Sequence, residues 1–149
     1  MMWTFFPSER LRCWQNFRNS LDKIDLESAI KETGHLWSYC PYQKHYLTVD
    51  QIDIWPDPWE LLYENTYCDL ARALGMLYTL YLTDHKPDLE IRVYNEPITK
   101  AQYNLLFIVK GKYVLNYEYD KVVNKKHIDP SLKLQKRITI TDLKLDRIQ

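Results

Sequence analysis

Asn65-Thr66-Tyr67-Cys68-Asp69-Leu70-Ala71-Arg72-Ala73-Leu74-Gly75-Met76-Leu77-Tyr78-Thr79-Leu80-Tyr81-Leu82 is the stretch whose reading decides the fold. Thr66 and Asp69 stand three apart ahead of an apolar run, a spacing at which a hydroxyl and a carboxylate satisfy the unpaired N–H groups of a first helical turn. It predicts a helix from about Tyr67 to Leu82. Beyond the cap only Asp69 and Arg72 carry charge, so this helix is apolar nearly all round and must lie beneath other elements. Cys68 falls in the first turn, where the helix dipole and free N–H groups favour a thiolate.

Upstream, Ser8 is placed to cap a helix whose apolar positions Leu11, Trp14, Phe17 and Leu21 recur at helical spacing. A second helix starts at Asp25, carries the stripe Leu26, Ala29, Ile30, Thr33, Leu36 and Trp37, and must stop before Pro41. The two are expected as a hairpin over the central helix. Residues 42–56 show no helical period beyond a possible short extended piece at 45–49, and read as a long loop. Asp57-Pro58-Trp59-Glu60 combines an acidic cap, proline at the first helical position and glutamate three residues after the cap, a start signal for a short helix through Tyr63.

After Pro87 the period changes. Leu89, Ile91 and Val93 alternate with Glu90, Arg92 and Tyr94, as in a half-buried strand. Strands are expected at 105–109 and 113–117, joined through Lys110-Gly111-Lys112, with Gly111 supplying a positive φ. Weaker strand signals follow at 121–123, 132–134 and 138–140. Helices first and an antiparallel meander second is the α+β pattern. One α+β domain is expected over 1–128, with a helical hairpin at 1–40 and the core at 57–123; 129–149 is expected as a basic C-terminal arm or edge strand.

Hydrophobic content of 46% and charged content of 27% exclude general disorder. The net charge is zero, yet 121–149 holds eight Lys and Arg against three Asp, an excess of about five positive charges. Lys125, Lys126, Lys136 and Arg137 could therefore meet phosphates or an acidic protein surface. The bases of a single strand would need aromatic platforms, which are missing after Tyr119. Cys13, Cys40 and Cys68 are odd in number and widely spaced, so neither a disulfide framework nor a zinc cluster is expected. No paired metal-ligand spacing and no phosphate-binding glycine loop occurs, and no cofactor is expected. Met1-Met2-Trp3-Thr4-Phe5-Phe6 lacks a basic leader, so export by a signal peptide is not expected, and no run is long enough to span a membrane. Five Trp and twelve Tyr suit both cores and interfaces, with Trp3, Phe5 and Phe6 as candidate partner-binding residues.

A cysteine opening a buried helix ahead of a strand meander is the layout of papain-like and transglutaminase-like cysteine enzymes. Trp59 to Tyr117 resembles the bacterial transglutaminase-like cysteine peptidases through Trp55-Pro56-Asp57-Pro58-Trp59, Tyr67-Cys68-Asp69, Asn104 to Val109 and Tyr113 to Tyr117. The resemblance implies Cys68 at the nucleophile position. Asn104 stands where that family has its catalytic His, Asn116 where it has its Asp, and Tyr67 where an acid precedes the cysteine. A thiol nucleophile needs a base and the base an orienting acceptor, and an amide supplies neither. Cys68, Asn104 and Asn116 thus read as the remnant of a triad, with no catalytic residue expected unless His35, His45, His85 or His127 supplies a base in space.

The expectation is a non-enzymatic interaction protein on a degenerate transglutaminase-like fold. Its look is similar to uncharacterised small proteins of tailed bacteriophages, which implies a virion component of the head, neck or baseplate, partnered by other subunits, in a bacterial cytoplasm or the particle. The alternatives are an active cysteine hydrolase or acyltransferase using Cys68, and a nucleic-acid accessory protein using the basic tail.

Overall fold

The computed structural model describes residues 1–145. The last positions of the expected C-terminal arm, 146–149, lie outside the described residues. Helix α1 spans Pro7–Leu21, α2 Leu26–Trp37, α3 Pro58–Glu64 and α4 Asp69–Tyr81. Pro7 occupies the first turn of α1 behind Phe6, so Ser8, expected as the cap, is already helical. Proline suits that position because the N–H it lacks would have no partner there. Asp25 caps α2 by accepting from Ser28 N at 2.8 Å. The Asp57 box forms in full: its carboxylate accepts from Glu60 N at 2.8 Å and Glu60 accepts from Asp57 N at 2.9 Å. In the loop expected at 42–56, Val49–Ile54 winds into a short 3-10 helix.

The central helix departs from the expected start. Thr66 is not its cap; α4 begins at Asp69, and Cys68 is the N-cap, its Sγ accepting from Ala71 N at 3.4 Å. The Asp69 carboxylate is thereby released from capping duty.

Strands β1 Leu89–Asn95, β2 Gln102–Ile108, β3 Tyr113–Leu115, β4 Val123–Asn124 and β5 Lys133–Thr139 form one sheet in the order β4-β3-β2-β1-β5, every pair antiparallel. The first four make the expected meander. The two fragments read at 132–134 and 138–140 are one strand, which returns to the far side of β1 and forms the sheet edge, with a register irregularity at Val93/Tyr94. The β2–β3 connection needs more than Gly111: Val109, Lys110 and Gly111 all take positive φ, at 58°, 56° and 85°.

Leu89, Ile91, Val93, Leu106 and Ile108 cover α4 from the sheet side, while α1, α2 and α3 cover its other sides. Ile138 of β5 and Leu145 join this core, so the described part of the segment after residue 128 is built into the domain. Helices α2 and α4 approach where Gly75 meets the indole of Trp37. A β-carbon at Gly75 would stand 2.2 Å from Trp37 Cη2. The indole N–H groups of Trp14 and Trp37 both donate to Thr79 Oγ1, at 3.0 and 2.9 Å, and the Thr79 hydroxyl donates to Gly75 O at 2.7 Å.

Helix α1 docks through a residue absent from its apolar stripe. Arg10, only 4% exposed, donates to Leu62 O at 2.7 Å, Tyr63 O at 2.8 Å and Phe5 O at 2.5 Å. Two of these are carbonyls from the last turn of α3, which no intrahelical N–H can satisfy. A cation there also complements the negative end of the helix dipole.

Candidate functional site

The site is built where α4 begins. Helix α3 ends on Asn65 in the left-handed conformation, φ 56° and ψ 39°, and the chain turns at once into Tyr67 and Cys68. Tyr67 is fully buried; its hydroxyl donates to Leu61 O at 3.2 Å, and its ring meets Trp3 and Trp37 edge-on at 5.4 and 5.1 Å. Burial pushes its phenol far above the ordinary range. The residue at the family's acidic position is therefore a core side chain.

Cys68 is 5% exposed. Besides Ala71 N, its sulfur accepts from Leu47 N at 3.4 Å, so the backbone of the 42–56 loop lies directly over the thiol. A neighbouring groove of about 1050 Å³ is lined by Cys68, Asp69, Asn104, His45 and the lysines Lys100 and Lys136.

Asn104 on β2 and Asn116 just beyond β3 converge on Asp69, the residue after the cysteine. Asn104 Nδ2 donates to Asp69 Oδ2 at 2.9 Å. Asn116 Nδ2 lies 3.3 Å from Asp69 Oδ1, 3.2 Å from Asp69 O and 2.9 Å from Asn104 O. Gln102 Nε2 completes the chain by donating to Asn104 Oδ1 at 2.9 Å. Asn116 adopts φ 70°, a left-handed position that asparagine tolerates better than most residues. Burial holds the Asp69 carboxyl above the ordinary carboxylate range, against the opposing effects of the Asn104 amide, the Arg72 charge and the Asn116 amide. The arrangement fixes an acidic group between two amides; neither amide can carry a proton to or from the thiol.

The structure thus brings Asn104 and Asn116 together on Asp69, the residue next to Cys68; Asn104 borders the Cys68 groove, whereas Asn116 borders a separate cavity on the other side of Asp69. Sequence reasoning missed Asp69 and Gln102. Position Asp69 was readable as the residue following the cysteine, but its assignment to a helix cap removed it from consideration.

The histidines lie in different settings. His35 Nδ1 pairs with Asp120 at 3.0 Å, His85 Nε2 lies 2.8 Å from Leu21 O, and His127 is exposed on the 125–127 turn. His45 alone of the four lines the groove that Cys68 borders.

The expected partner-binding residues separate as well. Trp3 is corrected: at 7% exposure it is in the core, packed on Trp37 at 4.9 Å and donating to Leu36 O, because the Met2–Thr4 turn folds the N-terminus back over α2. Phe5 and Phe6 remain exposed, at 39% and 78%. Lys125 and Lys126 sit on the exposed 3-10 turn after β4. Lys136 and Arg137 are adjacent on β5 and so point to opposite faces of the sheet, Lys136 into the Cys68 groove and Arg137 to the outer face. The positive segment forms no single stripe.

Among the described residues no group of three or more His, Cys, Asp or Glu side chains could hold a metal ion. No described helix is long and apolar enough to cross a membrane.

No known sequence family matches this chain, and no curated protein does. Solved structures do match. LapG of Legionella pneumophila superposes with a TM-score of 0.69 at 17% identity over 93% of this chain and 78% of that one. Its EGTA-treated form gives 0.68 at 17%, and its calcium-bound form 0.62 at 14% over 94% of this chain and 91% of that one. At these identities the likeness establishes the fold, which is the α+β transglutaminase-like, papain-like architecture.

Proposed function

We propose that this chain is a non-enzymatic interaction protein on a degenerate transglutaminase-like fold, working as a subunit of a large assembly. A tailed-phage virion component of the head, neck or baseplate is the specific setting we infer. The observation that carries the non-enzymatic reading is the locking of Asn104 and Asn116 onto Asp69, beside a thiol roofed by the Leu47 backbone. A cysteine nucleophile needs a group that accepts its proton, and the two positions that would supply and orient one hold amides. Support for an interaction role comes from large exposed side chains: Phe6 at 78%, Tyr63 and Tyr42 at 61%, Tyr119 at 64% and Trp59 at 41%. Aromatic residues of this kind are enriched at protein interfaces.

Sedimentation of infected-cell lysate tests the reading. Wild-type chain and Cys68→Ala should co-migrate with particles to the same extent and persist in purified virions at fixed stoichiometry. Recovery only in the slow, soluble fraction removes the virion setting; a turnover that disappears with Cys68→Ala removes the non-enzymatic reading.

One observation favours a second reading, a working cysteine hydrolase: His45 borders the same groove as Cys68. That reading requires Cys68 to alkylate with iodoacetamide in the native protein, below the pH expected of an ordinary thiol, and His45→Ala to abolish the effect. If Cys68 labels only on unfolding, the hydrolase is excluded.

A further inference from the structure

A second cavity of about 480 Å³, with no part in the Cys68 site, opens at the end of the sheet where β1 begins and β5 ends, bordered by Arg92, Phe107 and Arg137 of the outer face and by Tyr81 at the end of α4. The strand register explains its chemistry. Arg92 of β1 and Arg137 of β5 are directly opposed partners. Like charges facing each other across strands are destabilising unless an anion lies between them. One does: Glu90 Oε2 accepts from Arg92 Nε at 2.5 Å and from Arg137 Nε at 3.0 Å, with Arg137 Nη2 also 3.0 Å away in the ion pair. A guanidinium has five N–H donors in a planar fork, so a single carboxylate oxygen uses a minority of the ten available.

Lys86 and Lys110 border the same cavity, Lys86 Nζ donating to Tyr81 O at 3.3 Å, and among the described residues Asp88 is the only other acid in its wall. Four cationic side chains therefore face two carboxylates. Both lysines are held in left-handed backbone, φ 47° and 56°, and Lys110 follows Val109 at φ 58°, an unfavourable conformation for a β-branched residue. The guanidinium of Arg92 stands over the Phe107 ring, its Cζ 4.1 Å from the centroid, and Phe107 gives the cavity an apolar wall beside the charges. The volume is that of a small-molecule site, larger than a bare ion requires.

We infer that this cavity binds the phosphate group of a small phosphorylated molecule, with Arg92 and Arg137 as the paired donors, Lys86 and Lys110 as flanking charges, and Phe107 as the surface for the organic portion. The inference is independent of whether Cys68 is catalytic. Free phosphate and a phosphate monoester share the recognised group, and the experiment separates them.

Isothermal titration of the full chain at low ionic strength, with inorganic phosphate, AMP and adenosine in separate runs, tests it. AMP should bind saturably at one site, and adenosine should not. Phosphate binding as tightly as AMP identifies the anion alone as the ligand; AMP binding more tightly shows that the apolar wall contributes. Arg137 is 55% exposed at its side chain, so Arg137→Gln should fold normally and weaken AMP by at least about tenfold, the loss expected for a charge-assisted contact. Lys110→Gln should weaken it less, and Lys31→Gln, on α2 and outside the cavity, not at all. Absence of saturable binding by both phosphate and AMP up to about 10 mM, weaker than ordinary specific affinities, overturns the inference. So does AMP binding unchanged in Arg137→Gln.

Discussion

Alanine at Gly75 should unfold the protein more easily, although the same change in an ordinary helix would stabilise it. Glycine inside a helix is about 1 kcal/mol worse than alanine, so the propensity term favours the variant. The opposing term is steric. The new β-carbon would lie 2.2, 2.5 and 2.4 Å from Trp37 Cη2, Cζ2 and Cζ3. The indole cannot retreat, because it is fully buried, packed on Trp3 and Tyr67, and tied to Thr79 by its N–H. Overpacking of this kind costs about 1–3 kcal/mol. A displaced indole leaves a buried donor unsatisfied at about 1–3 kcal/mol more. After subtraction of the helix gain, a net loss of about 1–5 kcal/mol is expected. With a urea m-value of about 2 kcal/mol/M, the midpoint should fall by roughly 0.5–2.5 M in circular-dichroism melts. Gly34→Ala is the matched control. There the added carbon meets only Leu115 Cδ2 at 2.9 Å, the tip of a flexible side chain, and stability should stay within about 1 kcal/mol of wild type. A Gly75→Ala midpoint at or above wild type would refute the assigned contact between α2 and α4.

Thr79→Val keeps the shape but removes the acceptor shared by Trp14 and Trp37, leaving two buried indole donors unpaired. Urea melts should show a loss of about 2–5 kcal/mol, while Thr79→Ser should stay within about 1 kcal/mol. Asp69 gives a pH signature. Because burial raises its folded-state pKa, the folded protein holds that proton more tightly than the unfolded chain. Its contribution is therefore most favourable below the unfolded value of about 3.9 and declines as pH rises through the folded value. The stability of wild type relative to Asp69→Asn should accordingly fall as pH is raised from about 4 and then level off; a flat or rising difference contradicts the buried-carboxylate assignment. Thiol labelling of the native protein should modify Cys13, which is partly exposed, ahead of the buried Cys40 and Cys68, read by peptide mass spectrometry. Equal rates at all three would argue against the Leu47 roof.

Local signals were the legible part of this chain. The Asp57 box, the Asp25 cap, the all-round apolar character of α4 and the alternation in β1 each depend on residues within one turn or one pleat of each other. The layer order and fold class followed from them. The details of the site depend on register, which local patterns do not carry. Asn104 and Asn116 could be placed near Cys68 by resemblance, but their convergence on Asp69 requires knowing where β2 and the end of β3 stop relative to α4. Cys68 as a cap was missed because a thiol is an uncommon cap, and Thr66 offered a more usual one nearby. Burial of Trp3 and Arg10 was unreadable for a similar reason: each is satisfied by backbone carbonyls distant in sequence, at Leu36 and at Leu62 and Tyr63. The split of Lys136 from Arg137 needs only strand geometry, but the basic residues between 134 and 138 make β5 look like two fragments in the sequence.

The Arg10 contacts also impose a timetable on the growing chain. Residue 10 leaves the ribosome well before residues 62 and 63, and at about 5–20 residues per second the delay is roughly 3–10 s. During that interval its guanidinium has no carbonyls from α3 to meet and stays hydrated. A hydrated cation in the first turn of α1 opposes burial of that turn until the α3 carbonyls exist, since burying an unpaired charge is costly. The residue that anchors the finished N-terminus therefore ties the docking of α1 to the completion of α3.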